Sequence, residues 1–66
     1  MVAKMKKISF DGIEDRIGEE ITIVIDIEGR QTTYKQKLVG ADREHLIFQE
    51  GKSRAYIPKN RIIFYN

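Results

Sequence analysis

Ile21, Ile23, Ile25 and Ile27 occupy every second position and alternate with Thr22, Val24, Asp26 and Glu28. A period of two over eight residues puts an apolar row and a mixed row on opposite faces of an extended chain, the pattern of a half-buried β-strand. Wound as a helix, the same residues would be scattered around the whole circumference. Isoleucine dominates the apolar set, with eleven Ile against two Leu and three Val. β-branched side chains favour pleated surfaces over helices. The chain therefore reads as mainly β.

The remaining elements follow from this strand. Glu28-Gly29-Arg30 ends the run as a hairpin turn. Residues 32–39 form the next strand, with Tyr34 and Leu38 on one face and Thr33, Lys35 and Lys37 on the other. Residues 40–44 make a polar turn. Residues 45–49 form a third strand, with Leu46 and Phe48 on one face and Ile47 on the other. Residues 50–52 are a tight turn and residues 54–57 a fourth strand. Pro58 has no N–H for a ladder and ends it; residues 61–65 complete the set. Near the start, Phe10, Ile13 and Ile17 recur at helical spacing. Ser9 or Asp11 caps the first turn, Glu14 stands three residues after Asp11, and Gly18 supplies the stop. A short N-terminal helix followed by five strands on tight turns is the plan of a strongly bent sheet folded into a small barrel. The face carrying Ile63 and Tyr65, and the final strand edge, are expected to stay exposed unless a partner covers them.

A chain of 66 residues holds one domain with a marginal core. Folds this small usually lean on disulfides, a metal or oligomerisation. Cysteine is absent, which removes disulfides and thiolate metal sites. His45, the one histidine, builds no metal cluster alone, so neither metal nor cofactor is expected and oligomerisation is the remaining aid. No apolar run approaches the roughly 20 residues of a membrane span, and no signal-peptide core follows the basic start; a cytoplasmic protein is expected. Residues 1–8 read as a basic, disordered tail bearing Lys4, Lys6 and Lys7, ahead of a barrel domain at 9–66. The formal charge of +2 hides a segregation: seven carboxylates stand against Arg16 in residues 11–28, and eight Lys and Arg against three carboxylates in residues 29–66. A basic second half suits a polyanionic partner, and equally an ordinary solvated surface.

Two segments of this layout resemble the Sm/LSm superfamily, and within it the Hfq-like small barrels. The first is Ile21-Thr22-Ile23-Val24-Ile25-Asp26-Ile27-Glu28-Gly29-Arg30 with Leu38-Val39-Gly40-Ala41-Asp42. It is similar to the Sm pattern of an alternating strand, an acidic-Gly turn and a strand ending in a hydrophobic residue and Asp. The second is Ile57-Pro58-Lys59-Asn60-Arg61-Ile62, similar to the Hfq segment Ile-Tyr-Lys-His-Ala-Ile and to the Ile-Arg-Gly-Asp/Asn turn of the wider Sm group. The ending Tyr56-Ile57-Pro58-Lys59 with Ile62-Ile63-Phe64 also resembles the archaeal RNase P barrel protein. The Sm resemblance covers residues 9–65. It implies a five-stranded, SH3-like (Sm-type) barrel whose copies join strand four to strand five in a hexameric or heptameric ring. It also implies a pore, lined by the loops before strands three and five, that grips single-stranded RNA. Two positions depart from the pattern: Gln36 stands where Sm sequences bend on a glycine, and Glu44 where Hfq carries a base-stacking aromatic.

The candidate site residues follow. Lys59-Asn60-Arg61 combines two phosphate-neutralising cations with an amide able to read a base edge; the same residues also make a common polar turn. His45 and Asp42 are the second constellation. The imidazole suits base stacking, while Asp42 reads first as the cap of its own turn. Lys35 and Lys37 read as edge lysines that discourage aggregation, and Tyr34 and Tyr56 as core or interface aromatics. No phosphate loop, carboxylate pair or activated nucleophile is present, so no enzyme is expected. The resulting expectation is an RNA-binding, ring-forming protein with Lys59, Asn60 and Arg61 at the site and His45 and Asp42 opposite. The alternative is an SH3-like module for protein–protein or ribonucleoprotein assembly without an RNA pocket of its own.

Overall fold

The computed structural model describes residues 8–66. The expected basic tail lies outside these residues except for Ile8, which packs against the core. Five strands form one antiparallel sheet: β1 (Glu20–Ile27), β2 (Arg30–Ala41), β3 (His45–Glu50), β4 (Ser53–Pro58) and β5 (Ile62–Tyr65). Their order across the sheet is β4-β3-β2-β1-β5, so β4 and β5 are its two open edges.

The isoleucine alternation of β1 works as its period dictates. Ile21, Ile23 and Ile25 are buried, while Ile27, at the hairpin end, is 49% exposed. Ile27 pairs with Arg30, which leaves a loop of two residues. Glu28 and Gly29 both have positive φ, 51° and 80°, the backbone of a type I′ turn, whose twist matches that of the strands it joins.

β2 is the long element of the sheet, and it changes partners along its length. Arg30 to Lys37 pair with β1, and Lys37 to Ala41 pair with β3. An irregularity between Leu38 and Gly40 leaves Val39 as an extra residue at the changeover; such bulges bend a strand and raise its twist. The β1 ladder reaches the same point from the other side. Leu38 N–H donates to Glu19 O (2.9 Å) and Gly18 N–H to Leu38 O (2.7 Å). A Cβ at Gly40 would stand 3.4 Å from the Ile47 side chain, an ordinary packing distance. The bend therefore falls beyond Gln36.

Bending the sheet gathers its inner rows. Ile21, Ile23 and Ile25 of β1, Leu38 of β2, Leu46 and Phe48 of β3, and Ile62 of β5 form the core, closed at one end by Ile13. Burying one such side chain stabilises by about 1.5–3 kcal/mol. Among the described residues no polar side chain joins this core.

Two expectations need correction. The segment around Phe10, Ile13 and Ile17 is no N-terminal helix but a single 3-10 turn, Ile13–Arg16. Gly12 stands before it in the left-handed region, at φ 79°, and Ile17 after it is already extended. Glycine is the poorest ordinary helix former, and one turn cannot repay nucleation. Ile13 alone is buried; Ile17 is 45% exposed. The second correction concerns β5. Ile23 faces Tyr65, Val24 faces Phe64, and Ile25 faces Ile62, so Ile63 is the extra residue of a bulge. The bulge resets the alternation. Tyr65 turns inward against the core, and Phe64, at 54% exposure, takes the outer position expected of Tyr65.

Candidate nucleic-acid interface

The β2–β3 turn is built by one carboxylate. Asp42 Oδ1 accepts the backbone N–H of Glu44 (2.8 Å) and of His45 (2.7 Å), while Asp42 N–H donates to His45 O (3.0 Å). This is an Asx-type turn. The backbone N–H of Glu44 is the main cause of the depressed Asp42 pKa, with further lowering from the His45 backbone and ring. His45 Nδ1 lies 3.2 Å from the same oxygen, so Asp42 also orients the imidazole.

The chain after β4 is tied to this turn. Lys59 N–H donates to Glu44 O at 2.7 Å, and Lys59–Arg61 coil into a 3-10 turn before β5 begins. The N-terminal segment approaches from a third side. Phe10 stacks on Tyr65 with ring centres 5.3 Å apart and planes 13° apart. Tyr65 Oη donates to Ser9 O (2.9 Å). Lys59 Nζ sits 5.5 Å from the centre of the Phe10 ring, a cation–π contact that holds the ammonium over an aromatic face.

These three segments and the outer face of the β1–β2 hairpin surround an open groove of about 1010 Å³. Of the sequence-predicted residues, Lys59, Asn60 and His45 line it. Asp42 does not: its carboxylate is spent on its own turn. Arg61 is exposed on the same 3-10 turn but does not line the groove. Arg43, Phe10, Asp26 and Gln31 line it as well, and sequence reasoning left them unassigned as site residues. Phe10 carries helical spacing with Ile13, which points to the core. Asp26 offers a weak signal, a carboxylate that follows Thr22 and Val24 in the outward row of β1. Chemically the groove combines two cations, an imidazole, two amides and an aromatic ring, side chains that meet phosphates and unstacked bases, with two carboxylates, Asp26 and Glu44.

The other candidates do not line the groove. Lys35 makes an exposed ion pair with Glu20 at 3.6 Å, a contact of small worth, and Lys37 pairs across the strands with Glu20. Tyr34 packs edge-on to Phe48 at 5.4 Å and donates its hydroxyl to Glu50 Oε2 at 2.9 Å. Burial first, and this hydrogen bond second, push its pKa up to about 12. Tyr56 is 56% exposed and meets the His45 ring edge-on at 6.2 Å. Among the described residues no three His, Cys, Asp or Glu gather as metal ligands, and no helix is long and apolar enough to cross a membrane.

The Asp42 turn carries a prediction. Folding lowers the Asp42 pKa, so its stabilisation is complete above the unfolded value and is lost as pH falls through the folded one. Asp42→Ala is expected to melt below the parent chain at neutral pH, with the gap closing under acid. Thermal melts across a pH series measure this; a gap that persists at low pH would contradict the assignment.

No family model, no curated protein and no solved structure matches the chain.

Proposed function

We propose that this chain is an Sm-like, SH3-type small barrel whose copies assemble through the β4 and β5 edges into a homo-oligomeric ring, hexameric or heptameric. Single-stranded RNA then binds in the groove beside Lys59, Asn60 and His45, with no catalytic step. The observation that carries this reading is the 2.7 Å bond from Lys59 N–H to Glu44 O. It joins the two loops that precede β3 and β5 and sets Lys59, Asn60, His45 and Arg43 around one groove. Support for assembly comes from the sheet. Both of its edges are open, and each carries an outward aromatic, Tyr56 on β4 and Phe64 on β5. Open edges invite pairing with another chain, and a core this small gains from it.

Those same exposed aromatics, together with Glu44 in the groove, favour the second reading, an assembly module without an RNA pocket. Native mass spectrometry with and without oligo(U) and oligo(A) separates the two. The expected result is a defined multiple of the chain mass that gains an oligonucleotide. A monomer that ignores both oligonucleotides would overturn the proposal in favour of the module.

A further inference from the structure

Asp26 ends the outward row of β1 formed by Glu20, Thr22 and Val24, and it faces Gln31 across the hairpin. Among the described residues, its Oδ1 is the one buried side-chain polar atom with no hydrogen-bond partner. A shielded carboxylate oxygen without a donor is costly, and such an atom in a folded chain calls for an explanation. Its location supplies one. β5 pairs with β1 only as far as Ile25, so no strand covers Asp26 on that side, and the residue lines the same groove as Lys59, Asn60 and His45. Lys59, the nearby ammonium, is held over Phe10 and makes no ion pair with Asp26 among the described residues.

We infer that Asp26 reads the donor edge of a base bound in this groove, and that the base it selects is guanine. This rests on the single-stranded RNA reading above. An ionised carboxylate is acceptor-only, with two oxygens. Guanine offers two adjacent donors, N1–H and the N2 amino group, which match those oxygens as a pair. Uracil offers N3–H between two carbonyl oxygens, which repel a carboxylate. Adenine and cytosine each offer one amino group. Gln31 lines the same groove and brings an amide donor suited to guanine O6.

Fluorescence anisotropy at fixed salt tests this with three probes: a uridine oligomer, the same oligomer with one guanosine, and the same with one inosine, which lacks the N2 amino group. In the parent chain the guanosine is expected to tighten binding about tenfold, and the inosine to lose much of that gain. Asp26→Asn is expected to lose the guanosine gain, read as the ratio of guanosine-probe to uridine-probe affinity within the variant, because its amide sets a donor against a donor. Thermal melts accompany it, and the variant is expected to melt no lower than the parent, since the shielded Oδ1 accepts no hydrogen bond that the change would remove. Equal binding of all three probes by the parent chain, or a guanosine gain that survives Asp26→Asn, overturns the inference and leaves the RNA reading standing. A parent chain that binds none of the probes removes both. The inosine comparison needs no variant, and equal binding of guanosine and inosine probes overturns the inference even if Asp26→Asn does not fold.

Discussion

Phe48→Ala is expected to cost about 3–5 kcal/mol and to bring the urea midpoint far below that of the parent chain. Phe48 is fully buried at the centre of β3. It pairs with Leu38 on one side and Ala55 on the other and holds the edge of the Tyr34 ring at 5.4 Å. The Leu38 pair sits beside the Val39 bulge where β2 changes partners, so the cavity would open where the β1 and β3 sides of the sheet meet. A domain of this size has a total stability of roughly 3–10 kcal/mol, at about 0.05–0.15 kcal/mol per residue, so one truncation removes about a third of it or more. Phe64→Ala provides the contrast. The same residue type, 54% exposed on the outer face of β5, is expected to change monomer stability by no more than about 0.5 kcal/mol. Urea titrations followed by circular dichroism compare the two, and equal losses would contradict the inner and outer assignment of β3 and β5.

The contrast shows where the sequence is legible. Alternation told inside from outside wherever a strand ran without interruption. Ile21, Ile23 and Ile25 are inward, Leu46 and Phe48 are inward, and Ile47 is on the opposite row. Pro58 ends β4 as its missing N–H requires. Phe64 was misplaced because a single extra residue, Ile63, flips the alternation, and nothing in Arg61-Ile62-Ile63-Phe64 announces a bulge. The helix expected at the start failed for a related reason: three apolar residues at helical spacing say nothing about Gly12, whose positive φ leaves room for one 3-10 turn only. The site was half visible. Lys59, Asn60 and His45 stand out by chemistry and do line the groove. Phe10 and Asp26 join them through contacts distant in sequence, such as the stacking of Phe10 on Tyr65, while Arg43 stands in the Asp42 turn two residues before His45. Asp42 is the reverse case. A residue type that suits a ligand site is consumed by the backbone of its own turn.

If RNA lies in the groove, the cations that line it should count and a neighbouring cation outside it should not. Each phosphate contact on a single strand contributes about 0.7 to the slope of log affinity against log salt. Lys59 and Arg43 line the groove and Arg61 does not, although Arg61 belongs to the same 3-10 turn as Lys59. The double variant Lys59→Ala/Arg43→Ala is therefore expected to flatten the slope by about 1.4. At low salt its affinity should fall on the order of a hundredfold, taking a factor of ten for each charged contact. Arg61→Ala is expected to leave both quantities nearly unchanged. Neither variant reaches the buried core, since Lys59 is half-buried and Arg43 and Arg61 are exposed, so folding should survive in all of them. Anisotropy titrations of a uridine oligomer over a salt series read slope and affinity together. Equal losses from Arg61→Ala and Lys59→Ala would mean that the phosphates track the general basic surface of the second half of the chain. The groove, with its Lys59–Glu44 tie and its unpartnered Asp26, would then have no part in holding the strand.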